Sequence, residues 1–242
     1  MQRMLAFVSV VLAVAGLIAT PAIADDLAVC HDRTIAADEA IAACDRVLSS
    51  SAGKGVDLAG IFVGRANAWF AKRDFDRAMA DYDQAIQRNA RMVAAYAGRA
   101  RTRYAKADLD GAIADYDQAL RINPKAVAFY IDRGNVRRRK GDVEHAIADF
   151  AEAIRVDPTF AGAFISRGLA LESRGDREHA RADYQAVLAL PPRGDPGKRI
   201  QDSARARLAN LAAAEQAAPA AIRASTPQLN SVVTAMAPAS PW

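Results

Sequence analysis

The sequence predicts an all-α fold, an α-α superhelical solenoid of repeated helical hairpins with capping helices at its ends. Three observations predict it. The segment Ala-Asp-Tyr-Asp-Gln-Ala occurs at Ala80–Ala85 and again at Ala114–Ala119, and weaker copies from Ala148 and Ala182 continue at the same 34-residue step. Each copy reads as two helices joined by a short turn. Hydrophobic residues make up 52% of the chain and charged residues 25%, enough apolar material for a core and too much for wholesale disorder. One such unit cannot bury its own apolar face, so neighbours must stack into an elongated surface. Function is therefore sought in surface recognition before catalysis.

Taken from the N-terminus, residues 1–24 read as a secretory signal peptide. Arg3 supplies a positive start, Leu5–Ala19 is apolar, and Ala22-Ile23-Ala24 is an A-x-A cleavage site. The mature chain is expected to start at Asp25, in the periplasm or outside the cell. An uncleaved anchor is the alternative, because the apolar run approaches the shortest length that spans a bilayer, but Pro21 and the small residues after it favour cleavage. No later stretch is long and apolar enough to span a membrane. The segment carries one charge, so the formal net charge of +4 falls to +3 on its removal. Against 28 acidic residues, that excess argues against nucleic-acid binding, which needs a concentrated positive face.

Residues 25–58 are expected to form a truncated N-terminal cap. Its two cysteines, Cys30 and Cys44, should pair in an oxidising compartment. Closing that loop stabilises by about 3 kcal/mol in the chain-entropy model, most usefully at a solenoid end, where a repeat lacks one neighbour. Leu27-Ala28-Val29-Cys30 looks like a bacterial lipobox, but Val29 is bulky where that motif has a small residue, and Asp25 and Asp26 separate it from the apolar run. Lipidation is set aside.

Four units follow, at residues 59–92, 93–126, 127–160 and 161–192. The first predicts helices over Ala59–Ala71 and Phe75–Arg88, and the others repeat them at the same step. Lys72–Asp74, Lys106–Asp108, Lys140–Asp142 and Arg174–Asp176 form the turns, with Gly141 and Gly175 suited to a left-handed helix terminus. Asp74, Asp108, Asp142 and Asp176 stand where an N-cap accepts hydrogen bonds from the next helix. Pro124 and Pro158 close two units, since proline lacks the donor that a continuing helix needs. Small residues recur where the helices must approach: Ala66, Ala100, Gly134 and Gly168 in the first helix, Ala78, Ala112, Ala146 and Ala180 in the second. One turn after each of those alanines comes a ring, Tyr82, Tyr116, Phe150 or Tyr184, read as core.

Residues 193–217 predict a solvating end helix, opened by Asp195-Pro196 and carrying Ile200, Ala204, Leu208 and Leu211 on one stripe. Residues 218–242, rich in Ala, Pro, Ser and Thr with almost no charge, are expected to be a disordered tail.

A small residue, then Ala-x-x-x-aromatic, then proline, every 34 residues, resembles the tetratricopeptide repeat family over about Ala59–Pro192. Asp38–Leu48 resembles the second helix of a further unit, with Cys44 in the ring's place and Ala40 in the alanine's; its short partner helix is expected near Leu27–Thr34. The sequence also departs from the family. Where a leucine is usual before the small residue, it has Arg65, Arg99, Arg133 and Arg167, and an equally regular column, Asp81, Asp115, Asp149 and Asp183, stands just before the rings. The flat fork of arginine suits a carboxylate, so these eight residues are read as a structural ion-pair ladder rather than a ligand site.

The resemblance implies an inner groove lined by the first helices, in which extended peptides lie. Carried over, its residues here are Val63, Asn67, Phe70, Arg101, Tyr104, Ile131, Asn135, Arg138 and Arg139. Asn67 and Asn135 can hydrogen-bond an extended backbone, Phe70 and Tyr104 can hold apolar side chains, and the arginines can attract carboxylates. The family's clamp of paired lysines and asparagines for acidic C-termini is not reproduced. Arg137-Arg138-Arg139-Lys140 is the densest charge in the chain, and as a helix end it complements the dipole there.

No nucleophile, base and donor set converges as an enzyme requires, no metal set is apparent, and no cofactor is expected. His145 and His179 each lack an i, i+4 partner for zinc, and no Gly-rich phosphate loop is present. The leading reading is a non-catalytic periplasmic adaptor, monomeric, that binds a peptide or protein in its groove. The alternative is a carrier or effector that binds an anionic small molecule or headgroup through the arginine cluster. A scaffolding subunit of an envelope enzyme complex is a third.

Overall fold

The computed structural model describes residues 21–50 and 57–225, so most of the expected signal peptide and the tail from residue 226 lie outside the described residues. Among the described residues all regular structure is helical. They divide into two compact units that part between Asn123 and Pro124, each taken by itself below.

The first unit holds α1 (Pro21–His31), α2 (Ala37–Ser49), α3 (Leu58–Ala71), α4 (Phe75–Arg88), α5 (Val93–Ala105) and α6 (Leu109–Ile122). The second holds α7 (Val127–Lys140), α8 (Val143–Val156), α9 (Ala161–Arg174), α10 (Arg177–Ala189) and α11 (Gly194–Ser225). Within each unit, consecutive helices pack as hairpins, α3 on α4 and α5 on α6, then α7 on α8 and α9 on α10.

The hairpin turns are cut by sequence at both ends. Asp74, Asp108, Asp142 and Asp176 each accept a hydrogen bond from the backbone N–H three residues on, at Arg77, Gly111, His145 and His179, which satisfies a donor that the helix start would otherwise leave unpaired. The N–H of the same four aspartates bonds back to the carbonyls of Trp69, Arg103, Arg137 and Leu171 at 2.9–3.0 Å, closing the preceding helix in Schellman fashion. That closure demands a left-handed residue. Gly141 and Gly175 take it at φ 89° and 90°, and Arg73 and Ala107 take it at φ 62° and 64°. The two non-glycine turns were not foreseen, because a residue with a Cβ adopts this region only under the compulsion of its surroundings.

The core of each hairpin is the small-residue and ring pattern. Ala78, Ala112, Ala146 and Ala180 are fully buried, and so are Tyr82, Phe150 and Tyr184, with Tyr116 nearly so. Small residues opposite the rings are obligatory at three places: a Cβ on Gly98 would stand 2.4 Å from the Tyr82 ring, one on Gly134 2.7 Å from Phe150, and one on Gly168 2.6 Å from Tyr184.

The first unit is closed by the cap. Cys30 on α1 and Cys44 on α2 form a disulfide with their Cα atoms 4.9 Å apart, buried with Ala43, Val47 and Ile61 of α3. Asp26 and Arg46 pair across the two cap helices in bidentate fashion. The first cap helix is displaced from the expected Leu27–Thr34, running from Pro21 to His31. It ends where Asp32 accepts hydrogen bonds from the N–H and hydroxyl of Thr34, a side-chain turn that competes with the helix.

The second unit is closed by α11, whose Ala204 and Leu211, with Ile200 and Leu208, cover Leu171, Tyr184 and Val187. The helix begins at Gly194 and continues past the expected stop at Ala217, through Pro219 to Ser225. Alanine, the residue of highest helix propensity, dominates this stretch. Among the described residues no helix is long and apolar enough to cross a membrane.

Candidate functional site

The charged columns come first, because they decide which polar groups are left over. Arg65 donates to both oxygens of Asp81 at 2.8 and 2.7 Å, Arg99 to Asp115 at 3.0 and 2.6 Å, Arg133 to Asp149 at 3.1 and 2.6 Å, and Arg167 to Asp183 at 2.9 and 2.6 Å. Each fork joins the first helix of a hairpin to the second. The four carboxylates are buried and the guanidinium groups half-buried, so both charges are desolvated and need one another. Bonding to Asp81 and to Asp183 holds the pKa of Arg65 and of Arg167 above the ordinary guanidinium value. The ladder arginines also stand against rings of their own helices, Arg65 at Phe62, Arg99 at Tyr96, Arg133 at Tyr130 and Arg167 at Phe164.

Two members of this network escaped the sequence reading. Arg103 donates to Asp115 and Arg137 pairs with Asp149, both at 2.8 Å. Their signal was present: each lies one helical turn after a ladder arginine, on the same face. Arg137 therefore belongs to the scaffold, not to an open arginine cluster. Arg138 and Arg139 are exposed at the end of α7.

A second set of pairs ties neighbouring hairpins. Arg65 reaches Asp45 of the cap and Arg99 reaches Asp83, both at 2.5 Å. Lys72 pairs with Asp38, Lys106 with Asp76, and Arg174 with Glu144. His145 and His179 lie exposed, each with Nδ1 on the capping aspartate three residues before it, at 2.7 and 2.8 Å. Those contacts lower the pKa of Asp142, and take that of Asp176 down to about 2, with help from Arg174. Among the described residues no group of His, Cys, Asp and Glu could hold a metal ion.

What remains is the face of the first helices. In the first unit, Val63, Asn67, Phe70 and Arg101 come together around one cavity of about 340 Å³, bounded on its other side by the α1–α2 turn. Val63 is largely buried and contributes an edge, whereas Asn67, Phe70, Arg101 and Tyr104 are partly exposed. Tyr82 donates from its hydroxyl to Oδ1 of Asn67 at 2.8 Å, and Arg101 lies over the Phe70 ring at 5.0 Å. Burial pushes the Tyr82 phenol up to about 12, so it stays a donor at any physiological pH. In the second unit, Ile131 and Asn135 are partly exposed on α7. Glu172, at the corresponding groove position of α9, is engaged by the hydroxyl of Tyr184 and by Arg207 of α11. Sequence reasoning missed the contribution of the cap to this face, because the Asp32 turn that brings residues 31–33 to the cavity has no counterpart in the repeat pattern.

A family model described as tetratricopeptide repeat matches residues 63–127 and 131–197. No curated protein matches the chain in overall sequence at a significant level. Among solved structures, a crystal structure of MamA aligns with a TM-score of 0.57 at 21% identity, over 63% of this chain and 87% of that one. MamA from Desulfovibrio magneticus RS-1, starting at its residue 41, aligns at 0.60 and 14% identity, over 70% and 95%. YrrB, described as a TPR protein with an unusual peptide-binding site, aligns at 0.57 and 17% identity, over 77% and 93%. At these identities the likeness speaks to the fold alone.

Proposed function

The chain belongs to the tetratricopeptide repeat family, and from that premise we propose that it is a non-catalytic interaction scaffold that takes an extended peptide or protein segment on the face of its first helices. One observation carries this reading. The charged columns are consumed in holding hairpins together, while Asn67, Arg101, Ile131 and Asn135 remain partly exposed with donors, acceptors and apolar surface on offer. The peptide-binding site in the description of YrrB supports the same use of the fold. Export to the periplasm belongs to this proposal. The Cys30–Cys44 disulfide suits an oxidising compartment, and processing after Ala24 would leave a mature chain that starts inside α1.

The test is a photo-crosslinking residue placed at position 104 or 135 and activated in intact cells. The proposal expects a partner captured from each of these positions and none from 114 or 148, exposed positions on second helices. Capture only from 114 and 148 would refute it. N-terminal sequencing of the protein from cells tests export, with Asp25 as the expected first residue.

A further inference from the structure

The cavity of the first unit has a chemistry of its own. Three arginines of this unit, Arg65, Arg99 and Arg103, are committed to carboxylates. Two that border the cavity are not. Arg33, on the α1–α2 turn, and Arg101, on α5, have no carboxylate of the described residues within ion-pairing distance. Arg101 is instead held against the Phe70 ring, which orients its guanidinium without neutralising it. Both cations are close enough to Tyr82 to act on its hydroxyl.

The one acid at the rim, Asp32, has an oxygen tied to the N–H and hydroxyl of Thr34, so it serves its own turn. The His31 ring is likewise tied back, with Nδ1 on the Leu27 carbonyl at 2.8 Å. Asn67 is fixed by Tyr82, whose hydroxyl occupies its Oδ1; the amide N–H groups are thereby left to donate. Beside these donors lies an apolar wall of Val63, Ala40 and Phe70. A cavity of about 340 Å³ with convergent donors and an apolar wall has the size and composition of a small-ligand site.

We propose that this cavity binds a carboxylate carried on a small branched or aromatic apolar group, with the carboxylate taken by Arg33 and Arg101, the Asn67 amide donating to it, and the apolar part resting on Val63, Ala40 and Phe70. The inference rests on the groove reading only in treating the first-helix face as the binding face. The site is unlike the rest of the repeat array, since half of it comes from the disulfide-tied turn that follows Cys30. Two sources of such a group exist, a free organic acid and the C-terminal residue of a peptide.

Isothermal calorimetry on the oxidised full chain tests it, with N-acetyl-leucine as probe and N-acetyl-leucinamide, its neutral counterpart, as control. The acid is expected to bind at least about tenfold more tightly than the amide, and Arg101→Gln to remove at least about tenfold of that affinity. Arg33→Gln, at an exposed turn, provides a second variant that does not touch the core, and Arg177→Gln, exposed on α10, should leave affinity unchanged. An octapeptide ending in leucine separates the sources: binding at least about tenfold tighter than N-acetyl-leucine assigns the site to a chain end, and equal binding assigns it to a free acid. Equal affinity of acid and amide, absence of binding by both, or indifference to both arginine variants overturns the proposal. The groove reading fails separately, through missing crosslinks at 104 and 135.

Discussion

The first unit turns its two repeat hairpins on Arg73 and Ala107 at φ 62° and 64°, whereas the second turns its two on Gly141 and Gly175 at φ 89° and 90°. The backbone path is shared, down to the Schellman bond and the capping aspartate. The residue that suits it is not. A second contrast runs through the charges. In the first unit Arg65 and Arg99 each hold their own hairpin and also reach back to Asp45 or Asp83 of the preceding one. Arg167 in the second unit holds Asp183 alone among the described residues, because Ala151 stands where Asp83 would. The fork within a hairpin is kept four times, while the link between hairpins varies. What recurs is what burial compels: a desolvated aspartate must be paired, whereas an exposed rim pair contributes little and is free to drift.

That contrast can be broken most forcefully at the carboxylates. Asp115→Ala removes the buried carboxylate shared by Arg99 and Arg103, leaving them only the more exposed Asp83 and Asp108, and should lower unfolding free energy in urea by roughly 3–5 kcal/mol, the range for removing one partner of a buried pair. Asp183→Ala strands one arginine that is 27% exposed and should fall at or below the lower end of that range. Equal losses would mean that the second arginine adds nothing.

Packing against the rings comes next. Gly134→Ala places a Cβ 2.7 Å from Phe150, and should reduce stability by about 1–3 kcal/mol in the same assay. The turns give a smaller effect with a sign that differs between units. Ala107→Gly should raise stability by up to about 1 kcal/mol and Gly141→Ala should lower it by about as much, since one relieves and the other imposes a Cβ in the left-handed region.

The smallest effect is a pH dependence. The Asp176 carboxyl titrates at about 2 in the folded chain, below its ordinary 3.8, because His179 and Arg174 bond to it. A depressed carboxyl contributes stability that is present above pH 3.8 and is lost as pH falls from there towards 2. His179→Ala should shallow that acid limb in pH-dependent melting curves; an unchanged limb would remove Asp176 from the account.

Much of the hairpin architecture was legible because it depends on spacing alone. Helix boundaries, the aspartate caps, the buried alanines and the rings all follow from the 34-residue step. The positions of Arg65, Arg99, Arg133 and Arg167 opposite the aspartate column followed from the same alignment. What the alignment could not supply lies where the repeat stops. The cap helix starts at Pro21, and α11 runs on to Ser225, since neither has a neighbouring copy to fix its register. The cavity was half visible: Val63, Asn67, Phe70 and Arg101 stood out as column members, but Arg33 entered only through the Asp32 turn. Arg137 was read only as part of a basic helix end that complements the dipole, because a run of like charge hides which member points inward to Asp149.

The claim on which the rest depends is that the arginine and aspartate columns are structural locks, which leaves recognition to the first-helix face. A double-mutant cycle on Arg167 and Asp183 tests it most directly, because this fork is the least entangled with others. With Arg167→Ala, Asp183→Ala and the double variant unfolded in urea, the double loss should be smaller than the sum of the single losses by at least about 1 kcal/mol. Losses that add within about 0.5 kcal/mol would show that the two columns do not hold the hairpins and would reopen them as binding residues.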